Sequence, residues 1–336
     1  MRLNRALLLL AGLAWMGGTS PGWADGEGLE ELTVGGLSFS PAAAVSVEPR
    51  SVVVGLDAVS FQYGLSNPAP QPVAVEISLK LPTPDLSDPD VSYAIPTDDP
   101  VNFLGAVMTL DGVAAPLVFK QTAELDGHDV TRQLKDAKLP LLPGAALKER
   151  LSAVAPEALV RIVADGLIKP NGTAGDGTQN FVPAWTVKTV GTHERQLEPG
   201  RTAVVEARLK ASLGASQDTV LRKAVRQQDG MGEQVAALRK RFCVDDALVG
   251  GIDKLAGVSA DNVGRLGERR LAVRLPTVPA GGHSALQITL DKGAADNLVS
   301  TCLTGLKKTG PTSFAREGAS GPPLPSVVRL LVVGRF

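Results

Sequence analysis

Residues able to do chemistry are few in this sequence, and the densest group is acidic. Asp85, Asp88 and Asp90 lie in a Pro-rich stretch, and Asp98 and Asp99 follow in Ile95-Pro-Thr-Asp-Asp-Pro100. Hard oxygen ligands of this kind can hold calcium. Neighbouring carboxylates can also share acid–base work when their surroundings push their pKa values apart. The spacing fits no EF-hand loop, and Asp beside Pro is ordinary turn chemistry as well. Asp98 and Asp99 therefore stand as a candidate acidic loop with three readings: turn caps, calcium ligands or catalytic acids.

Other chemistries find less support. The G-x-S-x-G pentapeptide of a nucleophile elbow is absent. Gly305-Leu-Lys-Lys-Thr-Gly310 resembles the front of a phosphate loop, but Pro311 stands where the lysine belongs and brings no backbone N–H. No dinucleotide fingerprint follows a strand. His128, His193 and His283 are too widely spaced for a zinc cluster unless the fold gathers them. No catalytic, cofactor-binding or metal-ligating residue is assigned, and no cofactor is expected.

Arg2 and Arg5 precede the apolar run Ala6–Met16, and Gly22-Trp23-Ala24 follows. A basic start, a short apolar core and a small-x-small end describe a secretory signal peptide, with cleavage between Ala24 and Asp25. The run is shorter than the roughly 20 residues a membrane helix needs, and no later stretch reaches that length. The expected product is periplasmic or secreted, without a membrane span after cleavage. Export gives the two cysteines a meaning, because thiols in an oxidising compartment tend to pair. A Cys243–Cys302 disulfide is expected, with Cα atoms roughly 4.4–6.8 Å apart. Acidic and basic residues, 35 against 34, nearly cancel, so no charge field points to nucleic acid.

The elements that must position these residues are mostly strands. Val59, Phe61, Tyr63 and Leu65 alternate, as do Val73, Val75, Ile77, Leu79 and Leu81, with Glu76, Ser78 and Lys80 between them. Period two marks strands with one wet face. Asp111-Gly112 predicts a hairpin between Leu104–Leu110 and Ala114–Phe119. The period then changes. Asp129 can cap a short helix carrying Val130, Leu134 and Ala137; Leu147, Leu151 and Val154 form a second helical stretch. A third opens at Pro156 and ends at Gly166. Asn171–Asn180 reads as a Gly-rich loop. Strands resume around Trp185–Val190 and at Ala203–Leu209. A helix is expected over Glu233–Phe242, and strands over Leu271–Leu275 and Leu286–Leu290, joined in hairpin fashion by Pro276–Gly282. The apolar run Val327–Val333 closes the chain.

The expected fold is mainly β: a β-sandwich with a helical insert at about 129–166 and a mixed, disulfide-linked C-terminal region. In domain terms, a signal peptide at 1–24 precedes a sandwich over 25–215, interrupted by an insert over 126–172. The region 216–336 packs on the sandwich.

Several segments in this order resemble the secreted bacterial domain-of-unknown-function family 4424 (DUF4424). They include Gly35-Gly36-Leu37, Val59–Asn67 leading to Leu81-Pro82-Thr83-Pro84, Ile95–Gly105, Asp129-Val-Thr131 and Gly166-Leu-Ile168. Trp185, Gln196–Gly200, Phe242-Cys-Val-Asp-Asp246, Leu290-Asp-Lys-Gly293 and Pro311-Thr-Ser-Phe314 continue the likeness. The resemblance implies no catalytic residues, since the family has no assigned activity. The layout is also similar to vault/inter-alpha-trypsin sandwich domains, a likeness of architecture alone. The expected function is that of a non-enzymatic binding or structural envelope protein whose partner is an envelope protein or a small ligand. The alternatives are a hydrolase using the loop carboxylates and a calcium-dependent adhesion module.

Overall fold

The structure is a computed structural model. It describes residues 29–84, 92–142, 145–173, 177, 179–257, 266–277, 286–303, 306–310, 312–315 and 325–336. Asp85, Asp88, Asp90, His283, the expected signal peptide 1–24 and Asp25 lie outside the described residues. Among the described residues strand makes up 44% and helix 17%, so the described part is mainly β.

Two sheets form the sandwich. One orders its strands as His128–Asp129, Val118–Leu125, Thr186–Leu197, Val73–Lys80 and Leu37–Ser40. The other is eight-stranded, centred on Ser46–Gly55, Ala58–Ser66 and Thr202–Lys210. The alternation in the sequence sets which side chains meet. Val59, Phe61 and Leu65 are fully buried, as are Val75, Ile77 and Leu79 from the facing sheet. Each such side chain contributes about 1.5–3 kcal/mol by leaving water.

Asp111 and Gly112 both take positive φ, as the Asp-Gly turn requires, and Val107–Leu110 pairs with Val113–Ala114. The hairpin is shorter than the sequence suggests: Val118 and Phe119 leave it for the other sheet, where they pair with Thr192 and Gly191.

The insert is helical as expected, at Thr131–Asp136, Ala145–Ser152 and Pro156–Ala164. The last helix begins with Pro at its first turn after an extended Ala155. It ends in a Schellman arrangement: Gly166 is left-handed, its N–H reaches the Val163 carbonyl, and the Leu167 N–H reaches that of Ile162. Leu134, Ile162, Leu167 and Trp185 form the insert's own core. The expected Gly-rich loop is smaller than predicted, because Ile168–Thr173 and Gln179–Pro183 pair as a ribbon.

A six-stranded sheet holds the C-terminal elements together with the first described residues. Its order is Leu298–Thr301, Val327–Gly334, Gly267–Arg274, Gly214–Ser216, Leu29–Glu30, Ser92–Tyr93. The expected hairpin at Pro276–Gly282 does not form. Gly267–Arg274 pairs with Val327–Gly334, whereas Gln287–Asp291 crosses to the eight-stranded sheet and lies parallel to Ser46–Gly55.

Helices Gly232–Phe242 and Asp246–Gly257 cover one face of this sheet. Val327–Gly334 is thus apolar on both sides: Val328, Leu330 and Val332 enter the sandwich core, while Leu331 and Val333 pack with Phe242 and Ile252. Burial on two faces explains an apolar run, broken at Arg329, where other strands alternate.

Candidate functional site

The acidic loop is a folded turn. One Asp99 carboxylate oxygen accepts the N–H groups of Val101 (2.8 Å) and Asn102 (2.9 Å). The Asn102 side chain then accepts from the Ala106 N–H at 2.7 Å and donates back to the Ala106 carbonyl at 3.0 Å. Gly105, left-handed, completes the loop. Asp98 and Asp99 are exposed. Among the described residues, no three His, Cys, Asp or Glu side chains gather as they would around a metal ion. Nor are the described histidines together: His128 pairs beside Leu125, and His193 follows Thr192, which pairs with Val118 at the other end of that strand.

Cys243 and Cys302 are joined, with Cα atoms 5.2 Å apart. Cys243 caps helix Gly232–Phe242 in the left-handed conformation, and Val244 turns back to donate to the Arg239 carbonyl. Ser300, on the neighbouring strand, donates to the carbonyls of Phe242 and Cys243 at 3.0 and 3.1 Å. Hydrogen bond and disulfide together fix the helix end against the sheet.

Beside that fixed end runs an open groove of about 480 Å³, lined by Ala237, Lys240, Arg241, Cys302, Val327 and Arg329. Its geometry follows from two periodicities. Ala237, Lys240 and Arg241 stand at i, i+3 and i+4 and share a helix face. Val327 and Arg329 alternate with the core-facing residues of their strand, so they fall on the helix side, in line with Leu331 and Val333. The helices cover Leu331 and Val333 and leave Arg329 in the floor. Its cross-strand neighbour is Ala272, too small to cover it.

Arg241 also belongs to a buried ionic cluster. It pairs with Glu31, whose side chain is only 1% exposed. Arg270, 12% exposed, stands 3.8 Å from Glu31, 3.9 Å from Glu268 and 3.5 Å from Glu30. Burial pushes the Glu268 carboxyl above its ordinary range; Thr219 and Arg270 pull it down, and the nearby charges of Glu31 and Asp218 push it further up. Lys240 and Arg329 have no carboxylate within 4 Å among the described residues, unlike Arg241.

Arg329 is the residue that sequence reading missed. Its signal is a lone charge inside Val327–Val333, on the face it shares with half-buried Val327 and buried Leu331. A second concavity, of about 490 Å³, lies between Thr83–Pro84 and Lys169, Val182 and Trp185. Trp185 is 3% exposed and its indole N–H is engaged by the Leu141 carbonyl at 2.8 Å, so it packs the insert.

No curated protein matches the chain in sequence. Among solved structures, it is similar to a candidate nutrient binding protein from Legionella pneumophila, at 7% identity and a TM-score of 0.39, over 90% of this chain and 72% of that one. It is also similar to an M1 zinc metallopeptidase from Deinococcus radiodurans, at 9% identity and a TM-score of 0.22. There it spans 43% of the other protein's length. The family model described as Domain of unknown function (DUF4424) matches residues 27–320, and the chain belongs to that family.

Proposed function

We propose that this member of the DUF4424 family is an exported, non-enzymatic envelope protein that binds its partner in the groove between helix Gly232–Phe242 and strand Val327–Gly334. The observation that carries the reading is Arg329, a charge without a carboxylate partner among the described residues, on the helix-covered face of a strand otherwise packed on both sides. Arg329 is only half-buried there, so its guanidinium stays available to an anionic partner in the groove. The disulfide and the Ser300 hydrogen bonds support the same reading, because they hold the groove wall in one position and so reduce the ordering cost of binding. Asp99, engaged by two backbone N–H groups, acts as a turn cap.

The test is capture of partners from envelope extract by the mature chain, with and without chelator, beside an Ala237→Trp variant. Ala237 is exposed, so the indole fills the groove without entering the core. A partner retained through chelation and lost with Ala237→Trp is the expected result. Capture that Ala237→Trp leaves intact moves the binding surface elsewhere, and capture lost on chelation favours the calcium reading.

A further inference from the structure

Resting on that reading of the groove, we infer that its ligand is a phosphoryl group, held by Arg329, Lys240 and Arg241 over the apolar floor of Val327 and Cys302. Among the described residues, three cations and no carboxylate line the groove. Two of them are guanidiniums, whose planar donor forks match tetrahedral and planar oxyanions. They arrive from different elements, Arg329 from the sheet and the other two from the helix, so they flank a bound group instead of forming a row along one surface.

Arg241 is pre-positioned. Glu31, buried beneath it, holds the guanidinium while leaving it 42% exposed toward solvent. Glu31 neutralises part of that charge, so Arg329 and Lys240 supply the net attraction. Together with Arg241 they offer donors from several sides, which suits the tetrahedral oxygens of a phosphoryl group better than a planar carboxylate. The lining between the cations is Ala237, Val327 and the disulfide, which suits the ester-linked apolar part of a phosphorylated molecule.

The experiment titrates the oxidised mature protein with inorganic phosphate, with acetate, and with phosphatidylglycerol vesicles against phosphatidylcholine vesicles. Arg329→Gln, Arg329→Lys and Lys240→Gln are compared, and the unfolding midpoint of each is recorded. Saturable phosphate binding that falls by about tenfold in Arg329→Gln is expected. The expectation includes a smaller fall in Lys240→Gln, partial recovery in Arg329→Lys and loss at raised salt. Binding confined to phosphatidylglycerol vesicles, with the same variant pattern, identifies a lipid headgroup as the source of the phosphoryl group. Lys240 is on the exposed helix face, so its variant reports on binding even if Arg329→Gln unfolds. The inference is overturned if acetate competes as well as phosphate, if the Lys240 and Arg329 variants bind unchanged, or if neither phosphate nor vesicles bind. Partner capture blocked by Ala237→Trp alongside any of these results leaves the groove as a binding surface and removes only the phosphoryl assignment.

Discussion

The phenol oxygen of Tyr63 occupies the place where a side chain on Gly36 would begin. A Cβ there would stand 2.1 Å from it, and the same oxygen accepts the Leu37 N–H at 3.1 Å. Tyr63 is buried, which pushes its phenol well above the ordinary range and keeps it neutral. Gly36→Ala is expected to lower stability by about 1–3 kcal/mol through overpacking. Tyr63→Phe costs a similar amount, about 1–3 kcal/mol, by stranding the Leu37 N–H. The double variant should lose less than the sum, because removing the hydroxyl opens the space the methyl needs. Urea midpoints of the four proteins check this, and strict additivity would refute the contact.

Joining residues 59 apart, the disulfide restricts the unfolded chain. Replacing both cysteines by alanine is expected to cost about 2–4 kcal/mol. The measurement is the urea midpoint of the double variant against the oxidised protein. An unchanged midpoint would show that Ser300 and the helix packing suffice alone.

Glu268 gives stability a pH dependence of known sign. Its folded pKa lies above the ordinary 4.5 because burial favours the neutral carboxyl. Its contribution is therefore complete below that value and is lost as pH rises through the folded pKa. Glu268→Gln should mimic the neutral form. Its stability relative to the parent is expected to rise with pH across that window, read from denaturation midpoints at a series of pH values. A difference that stays flat with pH would sink this assignment.

The proposed export predicts a defined mature start. Amino-terminal sequencing of the protein purified from its native host is expected to begin at Asp25, and an intact Met1 on most molecules would refute the signal peptide.

Much of this architecture was legible because one wet face forces alternation: Val59–Leu65 and Val73–Leu81 fall on the strands their pattern predicts. Strand Ser46–Gly55 was hidden by Pro49-Arg50, which the structure absorbs as a bulge between Pro49 and Ser51. Helix Asp246–Gly257 was hidden by Gly250-Gly251. Gly251 lets that helix approach Leu298, where a Cβ would stand 3.3 Å from the leucine methyl. The false hairpin at Pro276–Gly282 has a different cause: alternation says which side of a strand is buried and nothing of which strand lies beside it. The groove was illegible for the same reason, since Lys240 and Arg329 meet only through the packing of a helix on a sheet.

The parallel pairing of Gln287–Asp291 with Ser46–Gly55 has a kinetic consequence. A contact spanning some 240 positions must wait until nearly the whole polypeptide has emerged, and topologies rich in such contacts fold slowly. Until then Ser46–Gly55 presents a bare edge, able to pair with the same edge of another nascent molecule. Under the proposed export, a chain built this way depends on being held open during translocation, and its yield should fall steeply with concentration on refolding.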